Sequence, residues 1–439
     1  MHPDKAPGPD GFTARFYQHC WEIIKSDLTK MIKKSQASSK LGGGTNSAFL
    51  ALIPKEKGAL SFSRFRPISL CNTSYKILTK VIANRLKNII PSIVPENQGG
   101  FIKGRHIADN IILVQEALHS ILVKKEKGMI IKLDLANAFD KVNHNFLFAV
   151  MKKFGFDDKF VSWIRACIDS PWIAPMVNGM VTKFFKATRG LRQGCPLSPL
   201  LYAIQASVLS YQLENARTNS SLKGLQIAPG VKEINHAQFA DDTLLLGGAS
   251  CIVAKRFKEE LDAYTAVSGS EISHAKSKIY SWNITPMEMR DISRTLSIEG
   301  HTIWDSFTYL GVPISKKSPR SSSWNPILDK LKRRISSWGA NWLTLASRIV
   351  LIKSVLASVP IYQNSLLLAN GTVINQLESL QRKFLWEGGK QTSKRAHLIS
   401  WDKVSKPVME GGLSLKNIKV QNLALGAKLL WHIISGNPA

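Results

Sequence analysis

Two adjacent aspartates, Asp241 and Asp242, stand inside the apolar run FADDTLLL. Burying even one carboxylate among apolar side chains costs free energy unless a positive group meets it, so the interior of an ordinary strand excludes this pattern. The longer segment HAQFADDTLLLG predicts a β-hairpin with the two acids at its tip. Taken alone, the pair would also suit a solvated turn.

A third acid is expected from a neighbouring strand. The segment MIIKLDL predicts a strand that leads directly to Asp134, whereas Asp140, six residues later, is expected in the following loop or helix. Mg²⁺ prefers carboxylate oxygens and takes its remaining ligands from water and substrate phosphates. Two such ions about 3.5–4 Å apart stabilise the attacking and leaving oxygens of an in-line phosphoryl transfer. Asp134 and the aspartate pair therefore predict a two-metal site.

The charge of the chain points to a polyanionic partner. Its 439 residues include 59 Lys and Arg against 31 Asp and Glu, a net charge of +28. Residues 316–439 hold 19 Lys and Arg against 5 Asp and Glu, so half of the surplus, +14, lies in this last stretch. Such an imbalance is typical of proteins that bind nucleic acid.

Other classes of protein fit the sequence poorly. No apolar run reaches the roughly 18 residues of a transmembrane helix, no basic amphipathic helix favours a membrane surface, and the N-terminal segment MHPDKAPGPDGF lacks the apolar core of a secretory signal. The cysteines form no Cys-x-x-Cys pair, which argues against a zinc knuckle and a disulfide framework. We therefore expect an intracellular, nuclear protein without a membrane partner.

Hydrophobic periodicity and turn residues predict a mixed α and β chain. Asn178-Gly179 suits the type I′ turn of a hairpin, and the Ser- and Pro-rich segment SKKSPRSSSW predicts a linker. The predicted strands lie in FLALIPKEKGALSFSRFRPISL (two), MIIKLDL and FTYLGVPI (one). The predicted helices are one that Pro91 ends, one in SPLLYAIQASVLSYQLENA, and those at 107–123, 144–153, 158–168, 252–267, 325–338, 344–358 and 372–386.

Seven segments occur in one order along the chain: KAPGPDGF, FRPISLCNTSYKILTKVIANRLK, NQGGFIKGRHIADNI, KLDLANAFDKVNHNFL, GLRQGCPLSPLLY, FADDTLLL and YLGVPI. In order and spacing they resemble the reverse transcriptases of non-LTR, LINE-type retrotransposons, of the sort abundant in plant genomes. The resemblance implies an α+β right-hand polymerase. Fingers would occupy residues 1–128, a palm with an antiparallel sheet 129–315, and a basic helical thumb with a C-terminal extension 316–439.

The resemblance also implies an activity, RNA-directed DNA synthesis from a DNA primer on an RNA template with dNTPs. Two Mg²⁺ ions, with Mn²⁺ as an alternative, would serve the reaction. By similarity Asp134, Asp241 and Asp242 are the catalytic carboxylates. Asp134 and Asp241 would bridge the metals with help from the Leu135 carbonyl, while Asp242 has a more peripheral role.

Further residues of these motifs are implied to contact the substrate. Phe139 holds the steric-gate position, where an aromatic ring leaves no room for a 2′-hydroxyl, although outside the motif it would be interpreted as a core residue. Gln193 and Gly194 resemble the segment that packs on the nascent base pair. Cys195 is expected to be a small buried thiol.

Basic residues are implied to meet the triphosphate. Lys55 and Arg66 flank the turn of the fingers, and Arg105 is a weaker candidate of the same kind. Cations there can neutralise the charge that develops on pyrophosphate. Lys276 matches the lysine that donates a proton to pyrophosphate, with Lys278 as the alternative.

The last implied sites bind the template–primer. YLGVPI resembles the primer grip, with Tyr309, Leu310 and Gly311 in a tight turn. Lys332, Arg333 and Arg334 of the thumb are expected to contact the nucleic-acid backbone, or else to form a solvated helix face. Trp338 and Trp342 nearby are expected to be core residues.

Two other functions stay open at this stage. The chain could be a catalytically silent or domesticated RNA-binding relic of a retroelement, or a maturase-like reverse transcriptase that assists intron splicing. Because it begins shortly before the first polymerase motif and ends soon after the thumb, we expect an isolated polymerase region without an endonuclease or RNase H segment.

Overall fold

The protein is described here from a computed structural model, in residues 1–169, 171–316, 321–338, 342–388 and 399–435. Residues 317–320 of the predicted linker lie outside the described residues. Within those ranges the α-helices are α1 (Ala14–His19), α2 (Trp21–Ser38), α3 (Thr73–Ile93), α4 (Ile107–Lys124), α5 (His144–Lys153), α6 (Asp158–Ile168), α7 (Ser198–Thr218), α8 (Cys251–Ser268), α9 (Pro286–Leu296), α10 (Asn325–Ser337), α11 (Leu345–Leu351), α12 (Ile361–Asn364), α13 (Gly371–Glu387), α14 (Trp401–Ser405) and α15 (Ile418–Ser435).

The strands of the described residues form three sheets. They are β1 (Ser47–Pro54), β2 (Phe65–Cys71), β3 (Gly128–Leu133), β4 (Trp172–Val177), β5 (Met180–Val181), β6 (Phe185–Lys186), β7 (His236–Phe239), β8 (Asp242–Gly248), β9 (Lys278–Trp282), β10 (Glu299–His301), β11 (Ser306–Tyr309) and β12 (Val312–Ser315). The first sheet has the order β2-β1-β4-β5, with β6 also paired to β4. The second sheet has the order β10-β9-β3-β8-β7, and β11 and β12 form the third.

Local sequence explains where several helices begin and end. The side chain of Asp157 accepts hydrogen bonds from the first backbone N–H groups of α6, and Ser250 does the same for α8. Such side chains satisfy N–H groups that have no partner inside the helix. Gly269 ends α8 in the left-handed conformation, with φ of 79°, which a glycine adopts at low cost.

The chain divides into two compact units. The first contains residues 1–110 and 120–303, and the second contains residues 111–119 and 304–439. Strand β4, from the range expected to be palm, pairs with β1 from the range expected to be fingers, and β5 and β6 pair with β4. The first sheet therefore takes strands from both ranges, and the three-part division into fingers, palm and thumb stays a prediction.

Helices packed on the second sheet form the core beneath the aspartates. Ile131 and Leu133 of β3, together with Leu245 of β8, are fully or almost fully buried in one apolar cluster with α7, α8 and α9. Burial of apolar side chains contributes roughly 25 cal/mol for each Å² removed from water. The ends of β3 and β8 are consequently fixed on a packed layer.

Most predicted elements are confirmed, and two predictions are wrong in detail. Helix α3 was expected to end at Pro91 but continues to Ile93. Proline removes one backbone donor and so disfavours a helix interior, yet the guanidinium of Arg105 donates to the carbonyls of Pro91 and Val94 and so satisfies the last turn.

The segment FTYLGVPI is a hairpin rather than one strand. Strands β11 and β12 pair antiparallel from Ser306↔Ser315 to Tyr309↔Val312. Leu310 and Gly311 between them have φ of 47° and 77°, the positive values that a tight two-residue turn requires. Sequence analysis also assigned no element to β9, α9 or β10.

None of the helices in the described ranges combines the length and the apolar character that crossing a bilayer requires.

Candidate active site

Adjacent strands bring the three predicted carboxylates together. Strand β3 pairs antiparallel with β8, and the last register partners are Leu133 and Thr243. The next residues are Asp134 on one strand and Asp242 on the other. The expectation that the acids come from neighbouring strands of one antiparallel sheet is confirmed.

The turn between β7 and β8 carries the second acid. Phe239 pairs with Asp242, which leaves Ala240 and Asp241 as the two-residue tip. Ala240 has φ of 58° and is buried. A side chain in this left-handed region is uncommon and costs free energy, so the surrounding structure must hold the tip in place.

The backbone after β3 is fixed by the segment before β9. Ser273 donates its backbone N–H to the Asp134 carbonyl at 2.8 Å, and Asp134 donates its own N–H to Ser277 Oγ at 3.1 Å. Lys276 Nζ lies 3.9 Å from Asp134 Oδ2. The lysine predicted to act at pyrophosphate therefore stands beside a predicted catalytic carboxylate.

Burial and neighbouring charge both disfavour ionisation of the aspartate pair. Burial raises the pKa of Asp241, and the charge of Asp134 adds to the rise. Burial also raises the pKa of Asp242, with further rises from Asp241 and Asp134, while Lys132 opposes them. The three carboxylates thus place several acidic groups at one end of the sheet. A cation bound between them would relieve their repulsion.

One cavity of about 490 Å³ collects most of the predicted site. Two of the predicted catalytic acids, three predicted cations and the predicted sugar and base contacts share it with eight other residues. Asp242 and Arg105 are not among the lining residues. Those that line it are Lys55, Arg66, Pro67, Asp134, Leu135, Asn137, Ala138, Phe139, Asp140, Gln193, Gly194, Cys195, Ser198, Pro199, Asp241 and Lys276.

The ring of Phe139 is held by other aromatic rings. It stacks on Tyr202 with centroids 4.7 Å apart and planes at 16°, and meets Phe101 edge to face at 6.3 Å. Phe139 is partly buried and packs against the main apolar cluster while lining the cavity. The geometry accommodates both the steric-gate and the core interpretations.

Gln193 and Gly194 are attached to strand β2. Ser69 donates its N–H to the Gln193 carbonyl at 2.8 Å. Gly194 has φ of 111°, and a Cβ added there would lie 2.9 Å from the Ser69 carbonyl oxygen. Only glycine permits this close approach at a positive φ.

Asp140 is a residue of the cavity that sequence reasoning noticed but did not assign. Burial raises the pKa of its carboxyl, and the charge of Lys55 and a hydrogen bond with Gln193 oppose the rise. The carboxylate therefore interacts with both the predicted triphosphate cation and the predicted base-pair contact. The sequence did offer one signal for a role of Asp140 in the site, because this residue follows the strand that leads to Asp134.

Arg105 does not reach the cavity, and its predicted triphosphate role is not supported. Its two terminal nitrogens donate to the backbone carbonyls of Pro91, Val94, Pro95 and Gln98 at 2.6–3.1 Å. A guanidinium used in this way fixes the loop between α3 and α4. From sequence alone, a loop arginine that binds phosphate and one that binds carbonyls look the same.

In the second unit, the predicted primer grip is a tight turn. Tyr309 is buried, and the hydroxyl of Tyr362 donates to the Leu310 carbonyl at 2.6 Å. The tight turn expected at Gly311 is confirmed by its positive φ. Its contact with a primer stays a prediction.

Helix α10 presents the three predicted thumb cations to solvent. Lys332, Arg333 and Arg334 are exposed, while Leu331 and Ile335 on the opposite face are buried. Lys332 Nζ lies 3.7 Å from Asp329, an exposed pairing that is worth little. The expectation of a core role fits Trp338, which packs on Phe384 at 5.4 Å, but is wrong for Trp342, which is 92% exposed.

The oxygen atoms of the cavity suit a metal ion that is bound partly by the protein and partly by the substrate. Among the described residues no three His, Cys, Asp or Glu side chains are grouped closely enough to enclose a metal ion alone. Asp134, Leu135 and Asp241 all line the cavity, and their carboxylate and backbone carbonyl oxygens are the kind of donor that Mg²⁺ prefers. Mg²⁺ sites in phosphoryl-transfer enzymes use one or two carboxylates and complete the shell with water and phosphate oxygens. The residues present fit that arrangement.

Comparison with known proteins extends these observations. Residues 53–314 match the family described as reverse transcriptase (RNA-dependent DNA polymerase). The Transposon TX1 uncharacterized 149 kDa protein of Xenopus laevis is 28% identical over 431 residues, which are 96% of this chain and 31% of that protein. The RNA-directed DNA polymerase from mobile element jockey of Drosophila funebris is 25% identical over 411 residues, which are 88% of this chain and 42% of that protein. The chain spans less than half the length of these curated relatives.

A solved structure shares the fold. The structure of telomerase from Candida albicans in complex with a TWJ fragment of telomeric RNA aligns with a TM-score of 0.50 and 13% identity, over 93% of this chain and 64% of that chain. At this identity the likeness concerns the fold alone. It confirms the α+β right-hand polymerase fold that the motifs implied.

Proposed function

The chain belongs to the reverse transcriptase (RNA-dependent DNA polymerase) family, of the non-LTR retrotransposon type, and we propose that it extends a DNA primer with dNTPs on an RNA template. One observation carries the proposal. A single cavity brings together Asp134 and Asp241 with the cations Lys55, Arg66 and Lys276. Acids that hold metal and cations that meet phosphate are the parts that nucleotidyl transfer needs.

Reverse transcriptases generally use divalent metal ions, and two Mg²⁺ ions would here activate the primer 3′-hydroxyl and stabilise the leaving pyrophosphate. Asp134 and Asp241 would hold them with the Leu135 carbonyl. Asp242, which is not among the residues lining the cavity, would act on the site through its charge. The raised pKa values of Asp241 and Asp242 support this assignment, because a cation relieves the repulsion between neighbouring carboxylates.

The remaining residues of the cavity would receive the dNTP. Lys55 and Arg66 would neutralise the triphosphate, and Lys276 would donate a proton to the departing pyrophosphate. The ring of Phe139, fixed on Tyr202, would occupy the space that a ribose 2′-hydroxyl needs. Gln193 and Gly194 would pack on the nascent base pair, with Asp140 holding the Gln193 side chain.

The template–primer would be held mainly through its backbone. An RNA–DNA hybrid resembles A-form duplex, which proteins bind through shape, phosphate and 2′-hydroxyl contacts rather than base edges. The exposed cations of α10 suit phosphate contacts, and the net charge of +28 suits a polyanion. The telomerase that shares the fold is described in complex with an RNA fragment.

Primer extension tests the proposal. The purified protein is incubated with a labelled DNA primer on a homopolymer RNA template, the matching dNTP and Mg²⁺. Extended products are expected, and they should vanish when the metal is chelated. A silent relic would bind the template–primer and give no product. A maturase-like protein would accelerate splicing of a cognate intron RNA in a parallel reaction.

A further inference from the structure

A buried glutamine reaches the turn that carries the catalytic pair. Gln98 lies in the loop between α3 and α4, in the segment NQGG, and its side chain has no exposed surface. Its main chain forms a bridge with Gln238, the residue two positions before Ala240. A segment that lies 140 positions earlier in the sequence is thus in contact with β7.

The amide of Gln98 hydrogen-bonds to both backbone groups of Ala240. Its Oε1 accepts from the Ala240 N–H at 2.8 Å, and its Nε2 donates to the Ala240 carbonyl at 3.3 Å. The same Oε1 also accepts from the Gly100 N–H at 2.9 Å. The side chain therefore substitutes for a strand partner at a position where the sheet ladder has ended.

The backbone conformation of Ala240 costs free energy, which a hydrogen-bonding partner can offset. Its φ of 58° lies in the left-handed region, which the Cβ of an L-residue disfavours. Glycine commonly fills such positions, but this tip has an alanine. Because the tip has two residues, the φ and ψ of Ala240 determine the direction in which Asp241 leaves the strand.

The loop that carries Gln98 is itself rigidly placed. Gln238 donates its N–H to the Asn97 carbonyl at 2.7 Å, and Gly99 donates its N–H to the Gln238 carbonyl at 2.8 Å. A Cβ added to Gly100 would lie 2.3 Å from the Ala240 nitrogen, so glycine is needed for this approach. Arg105 donates to the Gln98 carbonyl at 2.7 Å. This arginine therefore helps to fix the loop that carries Gln98.

We propose that Gln98 is a positioning residue, which holds Ala240 in its left-handed conformation and thereby aims the Asp241 carboxylate at the divalent cation. Gln98 does not touch the substrate or the metal in this account. The proposal rests on the proposed function, because it assigns Gln98 a part in the metal affinity of the same cavity.

The test replaces Gln98 by methionine, which has a similar length and volume but neither donates nor accepts strongly. Mn²⁺ serves as the probe, and its binding is measured from the loss of the free-ion electron paramagnetic resonance signal. We expect Gln98→Met to weaken Mn²⁺ binding at least tenfold. The concentration of Mg²⁺ that gives half-maximal primer extension should rise by a similar factor, while the KM for the template–primer stays unchanged.

The matched control is Gln205→Met. Gln205 is equally buried in the same unit, but its amide donates to the Ser268 carbonyl at 3.1 Å rather than to Ala240. We expect this variant to lose thermal stability as Gln98→Met does while it keeps the parental Mn²⁺ affinity. Parental Mn²⁺ affinity in Gln98→Met would overturn the proposal.

A second variant covers the case in which Gln98→Met does not fold. Gln98→Asn keeps a buried amide that is one carbon too short to reach Ala240, and the same loss of Mn²⁺ affinity is expected. Adding Ala240→Gly to either variant should restore part of the affinity, since glycine adopts a positive φ without help. If the unaltered protein binds Mn²⁺ but extends no primer, the proposed function fails while the positioning role can still be measured.

Discussion

Leu133 of β3 and Thr243 of β8 are register partners on adjacent antiparallel strands. The two strands therefore deliver Asp134 and the Asp241–Asp242 pair to one end of the sheet. Asp134 contributes to the raised pKa of both other carboxyls. The charge of Asp134 thus disfavours ionisation of Asp241 and Asp242, and a bound divalent cation would offset this repulsion.

The pH dependence of catalysis should respond to the metal concentration. Burial raises the pKa values of Asp241 and Asp242 above the ordinary aspartate range, so protons compete with Mg²⁺ for these groups at higher pH than usual. We expect kcat/KM to fall on the acid side, and this fall should move to lower pH as Mg²⁺ is raised. Rates measured across pH at two Mg²⁺ concentrations check this, and an acid limb that stays in place contradicts it.

Metal-free protein should become more stable when Asp241 is made neutral. A carboxyl whose folded pKa is raised binds its proton more tightly in the folded state, so its contribution to stability falls as pH rises from the ordinary aspartate pKa through the raised one. The amide of Asp241→Asn does not ionise, so the variant does not lose this stability as the pH rises. With chelator present, the variant should melt at a higher temperature than the parent near neutral pH, and the difference should shrink in acid. A lower melting temperature at neutral pH would oppose this account.

Replacing Phe139 by alanine should relax the choice of sugar. Opening the space beneath the ribose should raise the rNTP/dNTP ratio of kcat/KM by at least about tenfold. Single-nucleotide incorporation measures this ratio. Phe101→Ala is the control, because it removes an edge contact but keeps the Phe139 ring and its stacking partner Tyr202. If Phe139→Ala loses stability with an unchanged ratio, Phe139 is a core residue only.

The cations of α10 should contribute to affinity through counterion release. Each neutralised phosphate of duplex DNA changes the slope of log K against log salt by about 0.9. Replacing Lys332, Arg333 and Arg334 by alanine should weaken template–primer binding for every sequence and flatten that slope by up to about 2–3. Affinity measured at several salt concentrations tests this.

The control for α10 removes equal charge elsewhere. Lys30, Lys33 and Lys34 of α2 are also exposed, and their replacement by alanine should leave most of the slope intact. Equal slopes in the two triple variants would mean that α10 has no special contact with nucleic acid.

Sequence reasoning found the acids because their chemistry conflicts with their surroundings. Two charges inside an apolar run and a third at the end of a strand need an explanation that packing does not offer. The resemblance to a family then identified Phe139 and Gln193, which no pattern of their own distinguishes. The cavity brings Asp134, Asp241, Phe139 and Gln193 together.

Gln98, which sequence reasoning missed, acts through hydrogen bonds to the backbone. Gln98 meets Ala240 across 142 positions and binds only its N–H and carbonyl, groups that every residue has. Arg105 was misassigned for the same reason, because its partners are four carbonyls. Strand β10 was not predicted, since its pairing with β9 is parallel and only three residues long.

The central claim is that Asp134 and Asp241 hold the metal for nucleotidyl transfer. Asp241→Asn keeps the shape of the side chain and removes one charged ligand. Single-turnover incorporation of one dNTP into a DNA primer on RNA template should slow by about a hundredfold or more, while the affinity for template–primer stays nearly unchanged. Asp262→Asn, which removes an exposed charge from α8, should keep the parental rate. Incorporation by Asp241→Asn at the parental rate would contradict the account.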